Sequence, residues 1–146
     1  KREIAFMDSR IHDILRRNQL SVTASREKIL NLFLTNTRAL AHADIEHKAG
    51  ERFDRVTVYR TLQTFVEKGI LHTIPTADNS VKYALCKNDC FEGHHHDNHY
   101  HFICSVCGKT ECLEEFVIPA VKLPKEYLAN NVEIVVNGIC CTCRKK

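Results

Sequence analysis

Apolar residues recur at helical spacing along the first half of the chain and at alternate positions beyond Gly69, so helices give way to strands part-way along. Asp8 to Arg17 reads as a short helix with Ile11, Ile14 and Leu15 on one face. Thr23 is placed to N-cap a second helix carrying Ile29, Leu30, Phe33 and Leu34. A third, from about His42 to Ala49, presents Ile45 and is closed by Gly50. Asp54 can cap a fourth, with Val58, Leu62, Phe65 and Val66 as its apolar positions and Gly69 as its stop. Ile70 to Ile74 and Val81 to Leu85, joined by the turn-forming Pro75 to Ser80, read as a β-hairpin. Helices followed by such a hairpin predict a winged helix, a helix-turn-helix variant whose last helix enters the DNA major groove.

Beyond Cys86 the pattern predicts strands at Tyr100 to Val106, Thr110 to Phe116 and Glu133 to Ile139, with Pro119 and Pro124 restricting what lies between to a turn or a short helix. A tight turn at Val106-Cys107 would set residue 101 opposite residue 112, with Cβ atoms about 5 Å apart. His99 would share that face with His101, while Cys104 points to the other side. One hairpin can thus serve two metals.

Composition narrows the chemistry. The 146 residues are 44% hydrophobic and 27% charged, as in an ordinary globular protein. No apolar run approaches the roughly 20 residues that a bilayer span needs, and Lys1-Arg2-Glu3 lacks the apolar stretch of a secretory signal. The expected location is the cytosol, where thiols stay reduced, so eight cysteines argue for metal ligation over disulfides. All eight fall at or after Cys86, which marks the domain boundary. Residues 1–85 hold 14 Lys and Arg against 10 Asp and Glu, and residues 86–146 hold 7 against 8. That mild positive excess permits phosphate contacts without demanding them.

Two Cys-x-x-Cys pairs, Cys104/Cys107 and Cys140/Cys143, are separated by 32 residues, a spacing suited to one tetrahedral zinc. His72, Cys86, Cys90, His94 to His96, His99, His101 and Cys112 exceed what one four-coordinate ion can use, so a second metal site is expected. A lone His72 is more often a satisfied histidine than a ligand, and Cys86 or Cys112 alone could be a small buried hydrophobe. As a set, those accidents are improbable. Cys90, Cys141 and His94 to His96 are read as surplus to any four-coordinate site. On the fourth helix, Arg55, Thr57, Tyr59 and Arg60 surround the buried Val58, offering groups for phosphate and base edges. Taken alone they are a solvated helix face; the winged-helix context tips them toward DNA. Catalysis is not expected, since His-Glu-x-x-His, His-x-Glu and Pro-Cys-x-x-Cys are all missing. A thiol redox switch has more support, because Cys86, Cys90, Cys112 and Cys141 are not all needed for zinc.

The stretches Arg55-Val56-Thr57-Val58-Tyr59-Arg60-Thr61-Leu62, His99-Tyr100-His101-Phe102-Ile103-Cys104-Ser105-Val106-Cys107-Gly108-Lys109 and Gly138-Ile139-Cys140-Cys141-Thr142-Cys143 resemble the ferric uptake regulator family in order and spacing. The resemblance implies an α+β homodimer: a winged-helix DNA-binding domain over residues 1–85 and a small α/β dimerisation domain over residues 86–146, with an antiparallel sheet and a structural zinc. It implies that Cys104, Cys107, Cys140 and Cys143 hold that zinc, that Tyr59 and Arg60 read bases, and that His99 and His101 are sensory histidines. The implied partner is double-stranded DNA, an A·T-rich inverted repeat, with no membrane and no small-molecule substrate.

Departures from the family carry further information. Where iron- and peroxide-sensing members place a His and two acids, this chain has Ala39, Ala84 and Cys112; a family lysine before the second helix is Ser21. His72 and Cys86 instead resemble the zinc uptake regulator branch. A regulatory set of His72, Cys86, His99 or His101, and Cys112 is rich in nitrogen and thiolate, which favours a second zinc over iron(II) or manganese(II). The expectation is a zinc-responsive repressor, with an iron-responsive or thiol- and peroxide-responsive regulator of the same family as the alternative.

Overall fold

The computed structural model describes residues 2–36, 38–76, 78–86, 100–113, 119–130 and 132–146. The chain divides into two compact units, residues 1–95 and 96–146. The described elements of the first end at Leu85 and those of the second begin at Tyr100, so residues 87–99, outside the description, hold the division.

In the first unit α1 (Arg2–Arg17) buries Ile11 and Leu15 and runs further toward the N-terminus than its apolar face alone predicts. It closes with Gln19 at φ +57° and the Leu20 N–H bonded to the Leu15 carbonyl at 2.8 Å, a Schellman-type stop with glutamine where glycine is usual. α2 (Ala24–Thr35) starts where Thr23 Oγ1 accepts the Arg26 N–H at 3.3 Å, and buries Ile29, Leu30, Leu32 and Phe33. α3 (His42–Ala49) buries Ile45 and ends at Gly50, φ +82°. α4 (Arg55–Glu67) is capped by Asp54 Oδ1, which accepts the Thr57 N–H at 2.6 Å and whose acidity that bond raises. Of its buried side, Val58, Thr61, Leu62 and Phe65, the three apolar members join α1, α2 and α3 in one apolar core.

The hairpin follows as β2 (Leu71–Pro75) and β3 (Val81–Leu85), antiparallel with Thr73 opposite Tyr83. A strand the periodicity missed, β1 (Leu40–Ala41), pairs with β3 and makes a three-stranded sheet in the order β1-β3-β2. Two residues are too few to show a period. At the hairpin tip Asp78 accepts bonds from the Thr76 and Ser80 hydroxyls and the Ser80 N–H, which together hold its carboxyl at about 2. Four elements before a hairpin-based sheet are the expected winged helix.

The second unit is a three-stranded sheet of β4 (Tyr100–Cys104), β5 (Thr110–Leu113) and β6 (Ile134–Gly138), ordered β5-β4-β6, followed by the single-turn α5 (Cys141–Arg144). β4 and β5 are antiparallel, as expected, but β4 and β6 run parallel, so the sheet is mixed rather than antiparallel. The antiparallel β5 returns the chain to the start of β4, where Leu113 and Ile134 both pair with Tyr100, so β6 can set out parallel to β4 on its other side. β4 and β6 are also shorter than predicted, because the chain turns away at each Cys pair. Gly138 permits this close pairing: a Cβ there would lie 2.9 Å from the Phe102 ring. Among the described residues no helix is long and apolar enough to cross a membrane.

Candidate metal centres and the reading helix

Cys104 closes β4 and Cys107 follows on a turn that Gly108 completes at φ +69°, its N–H bonded to the Cys104 carbonyl at 2.9 Å. The carbonyl of Gly138 accepts both the Ser105 N–H at 2.8 Å and the Ser105 hydroxyl at 3.0 Å, which ties this turn to the chain just before Cys140. Cys140 and Cys143 then lie at either end of the first turn of α5. The four sulfurs all lie within 4.8 Å of one another, and Cys107 and Cys140 Sγ are 3.8 Å apart. A tetrahedron with zinc–sulfur bonds of about 2.3 Å has edges of about 3.8 Å, so the spacing and the donor chemistry both fit zinc.

Electrostatics agrees. The Cys140 N–H, 3.3 Å from Cys104 Sγ, and then the Cys107 N–H pull the Cys104 thiol down to about 6. Cys143 is pushed up to about 12, by the Cys140 thiol first and by burial next. One thiolate therefore forms readily, but four so close require a cation among them. Among the described residues all seven cysteines are free thiols.

Two donor pairs lie elsewhere. On the first unit's sheet His72 pairs with Ala84, and Cys86 sits two residues further along the same face. The result is His72 Nδ1 3.4 Å from Cys86 Sγ, with His72 buried. On the second unit's sheet His101 and Cys112 are direct cross-strand partners, as the turn at Val106-Cys107 predicts, and His101 is buried. Each pair offers one nitrogen and one sulfur, half of a four-coordinate shell. His99, Cys90 and His94 to His96 lie outside the described residues.

On α4, Arg55, Tyr59 and Arg60 are exposed. Thr57 is half-buried, and its N–H and carbonyl bond Asp54 and the Thr61 hydroxyl. The sequence reading missed Gln63, whose Nε2 donates to the Tyr59 hydroxyl at 2.8 Å, and His42, whose ring stands 6.3 Å from that of Tyr59. The four-residue step from Tyr59 to Gln63 was a signal for the first; His42 had none, since it meets Tyr59 across two helices.

Residues 17–139 match the model of the ferric uptake regulator family. The chain belongs to that family. The ferric uptake regulation protein of Neisseria meningitidis serogroup A (strain DSM 15465 / Z2491) is 30% identical over 143 residues, covering 90% of this chain and 92% of that protein. The peroxide operon regulator of Bacillus subtilis (strain 168) is also 30% identical, over 146 residues, covering 92% and 91%. A zinc uptake regulator solved in complex with zinc and DNA shares the fold at a TM-score of 0.64, with 20% identity, covering 97% of this chain and 95% of that one. Members of the ferric uptake regulator family are metal-responsive transcriptional regulators, and that coarse function holds for this chain.

Proposed function

We propose that this chain is a zinc-responsive repressor that binds DNA as a homodimer in the cytoplasm. The observation that carries the choice of metal is the His72–Cys86 pair: 3.4 Å apart, nitrogen and thiolate, with no carboxylate in it. The His101–Cys112 pair repeats that chemistry. In our reading the first pair, on the DNA-binding domain (residues 1–85), and the second, on the dimerisation domain (residues 86–146), share one regulatory zinc, with His99 as the alternative nitrogen donor. A separate structural zinc is held by Cys104, Cys107, Cys140 and Cys143.

Such a shared ion fixes the angle between domains. Without it the two reading helices of a dimer sample many separations, and few match successive major grooves roughly 34–36 Å apart. Turning a mostly incompetent population into a competent one takes about 5 kcal/mol of preference for the closed form, within reach of an ion whose ligands converge only there. Arg55, Thr57, Tyr59 and Arg60 then meet an A·T-rich inverted repeat. The exposed Val136, Ile139, Tyr127 and Leu128 of the second unit are apolar surface of the kind a second copy covers.

The test is anaerobic. Metal-stripped protein is titrated with zinc, iron(II) and manganese(II) at buffered free concentrations against the duplex that the metal-loaded protein selects from a random library. Zinc should restore binding at the lowest free level. Cys86→Ser and His72→Ala should keep the dimer and the four-cysteine zinc yet lose the response. Iron(II) acting first would favour the iron-responsive reading, and zinc loss on mild peroxide with loss of DNA binding the thiol-responsive one. If both variants respond like the parent, this ligand set is wrong.

A further inference from the structure

His42 opens α3, and its imidazole reaches α4 by two routes. Its Nδ1 lies 3.5 Å from Glu46 Oε2, one turn along α3, and the other oxygen of that carboxylate lies 3.7 Å from Arg55 Nε at the start of α4. Its ring stands over against Tyr59, 6.3 Å between centroids and tilted by 47°. Arg55 and Tyr59 are four residues apart and so share one side of α4. The Tyr59 hydroxyl takes the Gln63 amide one turn further on. A stripe of three side chains is thus fastened at its first member through a carboxylate and at its second through a ring.

The imidazole is an expensive choice for mere packing. Its Nε2 is closed off from solvent and has no hydrogen-bond partner among the described residues. A phenyl ring would meet Tyr59 without that cost but could not face Glu46; an amide could face Glu46 but offers no ring. The imidazole does both within one small side chain. Arg55 is 83% exposed, and a long side chain that must be ordered on binding subtracts from affinity unless something orders it beforehand.

We propose that His42 is a positioning residue for DNA recognition, setting the Tyr59 ring directly and the Arg55 guanidinium through Glu46. The inference rests on α4 being the reading helix. It adds to the bases and phosphates that α4 touches a residue that touches neither.

Zinc-loaded full-length protein is measured by fluorescence anisotropy on the duplex it selects from a random library, on single-base variants of that duplex and on random-sequence DNA, over a range of salt. His42→Ala, which loses both the ring and the link to Glu46, should bind the selected duplex about tenfold more weakly and random DNA less so, flattening base preference at one position and lowering the salt slope. His42→Phe, which keeps the ring, should keep that preference but lower the slope of log affinity against log salt by about one, as the Arg55 phosphate contact is lost. Parent-like binding by His42→Ala overturns the proposal. So does an equal loss on selected and random DNA accompanied by a lower unfolding temperature, the mark of a merely structural residue. Tyr59→Ala separates the two levels. If it binds like the parent, α4 is not the reading helix and both readings fall; if it loses the selected duplex while His42→Ala does not, only the role of His42 falls.

Discussion

The two units are held together by different physics. Every member of the apolar core cluster, from Ile11 to Tyr83, lies in the first unit. In the second, the buried side chains among the described residues are His101, Cys104, Thr110 and Cys140, none of them a large apolar group. Seven large hydrophobics among the described residues there, including Leu128 and Tyr127, remain exposed in the single chain. Burial of apolar surface at about 25 cal/mol per Å² can stabilise the first unit by itself. In the second, four cysteines with sulfurs within 4.8 Å of one another offer ligand bonds of the kind that hold small metal domains together. The first unit carries an apolar core of its own, and the second carries a cluster of four cysteines.

Removing zinc breaks this comparison most severely. Structural zinc contributes about 10–16 kcal/mol of apparent binding energy, above the usual net stability of a domain. Strong chelation, or Cys104→Ser, should abolish hydrogen-exchange protection in β4, β5 and β6 while amides of α2 and α4 stay protected. Equal loss in both units, or in neither, would remove the distinction. Phe65→Ala is the converse experiment. It empties the centre of the first core and should lower the stability of that unit by about 3–5 kcal/mol with the zinc count unchanged; loss of zinc along with it would mean that the units do not stand apart.

Smaller changes sharpen the contrast. Gly138→Ala places a methyl against Phe102 and should destabilise the second unit by about 1–3 kcal/mol, seen as easier zinc loss to a competing chelator. Parent-like retention would show that the ring swings aside at no cost. Gln19→Gly should do the opposite in the first unit. It relieves a positive φ in a non-glycine residue and should raise the denaturation midpoint by an amount worth about 1 kcal/mol.

Much of the first unit was legible because its signals are local. Thr23, Asp54, Gly50 and Gly69 mark helix ends by bonds and backbone angles that involve neighbours within a few residues. The four-cysteine cluster was legible for a related reason: paired ligands two residues apart state their geometry in their spacing, and 32 intervening residues leave the chain free to bring the pairs together. The facing of His101 and Cys112 followed from turn length alone. β1 escaped notice because two residues carry no period. The direction of β6 escaped because parallel and antiparallel neighbours have the same alternation, and the choice depends on the path of the connection.

By itself, then, the sequence determined the order of the helices and of the longer strands, the switch from helical to extended periodicity, the family and the paired-cysteine pattern of the second half, since each depends on side-chain identity at short range. Only the tertiary structure decided which strands are neighbours and in what direction, that His72 Nδ1 comes within 3.4 Å of Cys86, and that His42 lies between Glu46 and Tyr59. The contacts of His72 with Cys86 and of His42 with Tyr59 join residues 14 and 17 positions apart through packing that no local pattern encodes: two strands choosing a register, and two helices crossing at an angle set by the core beneath them.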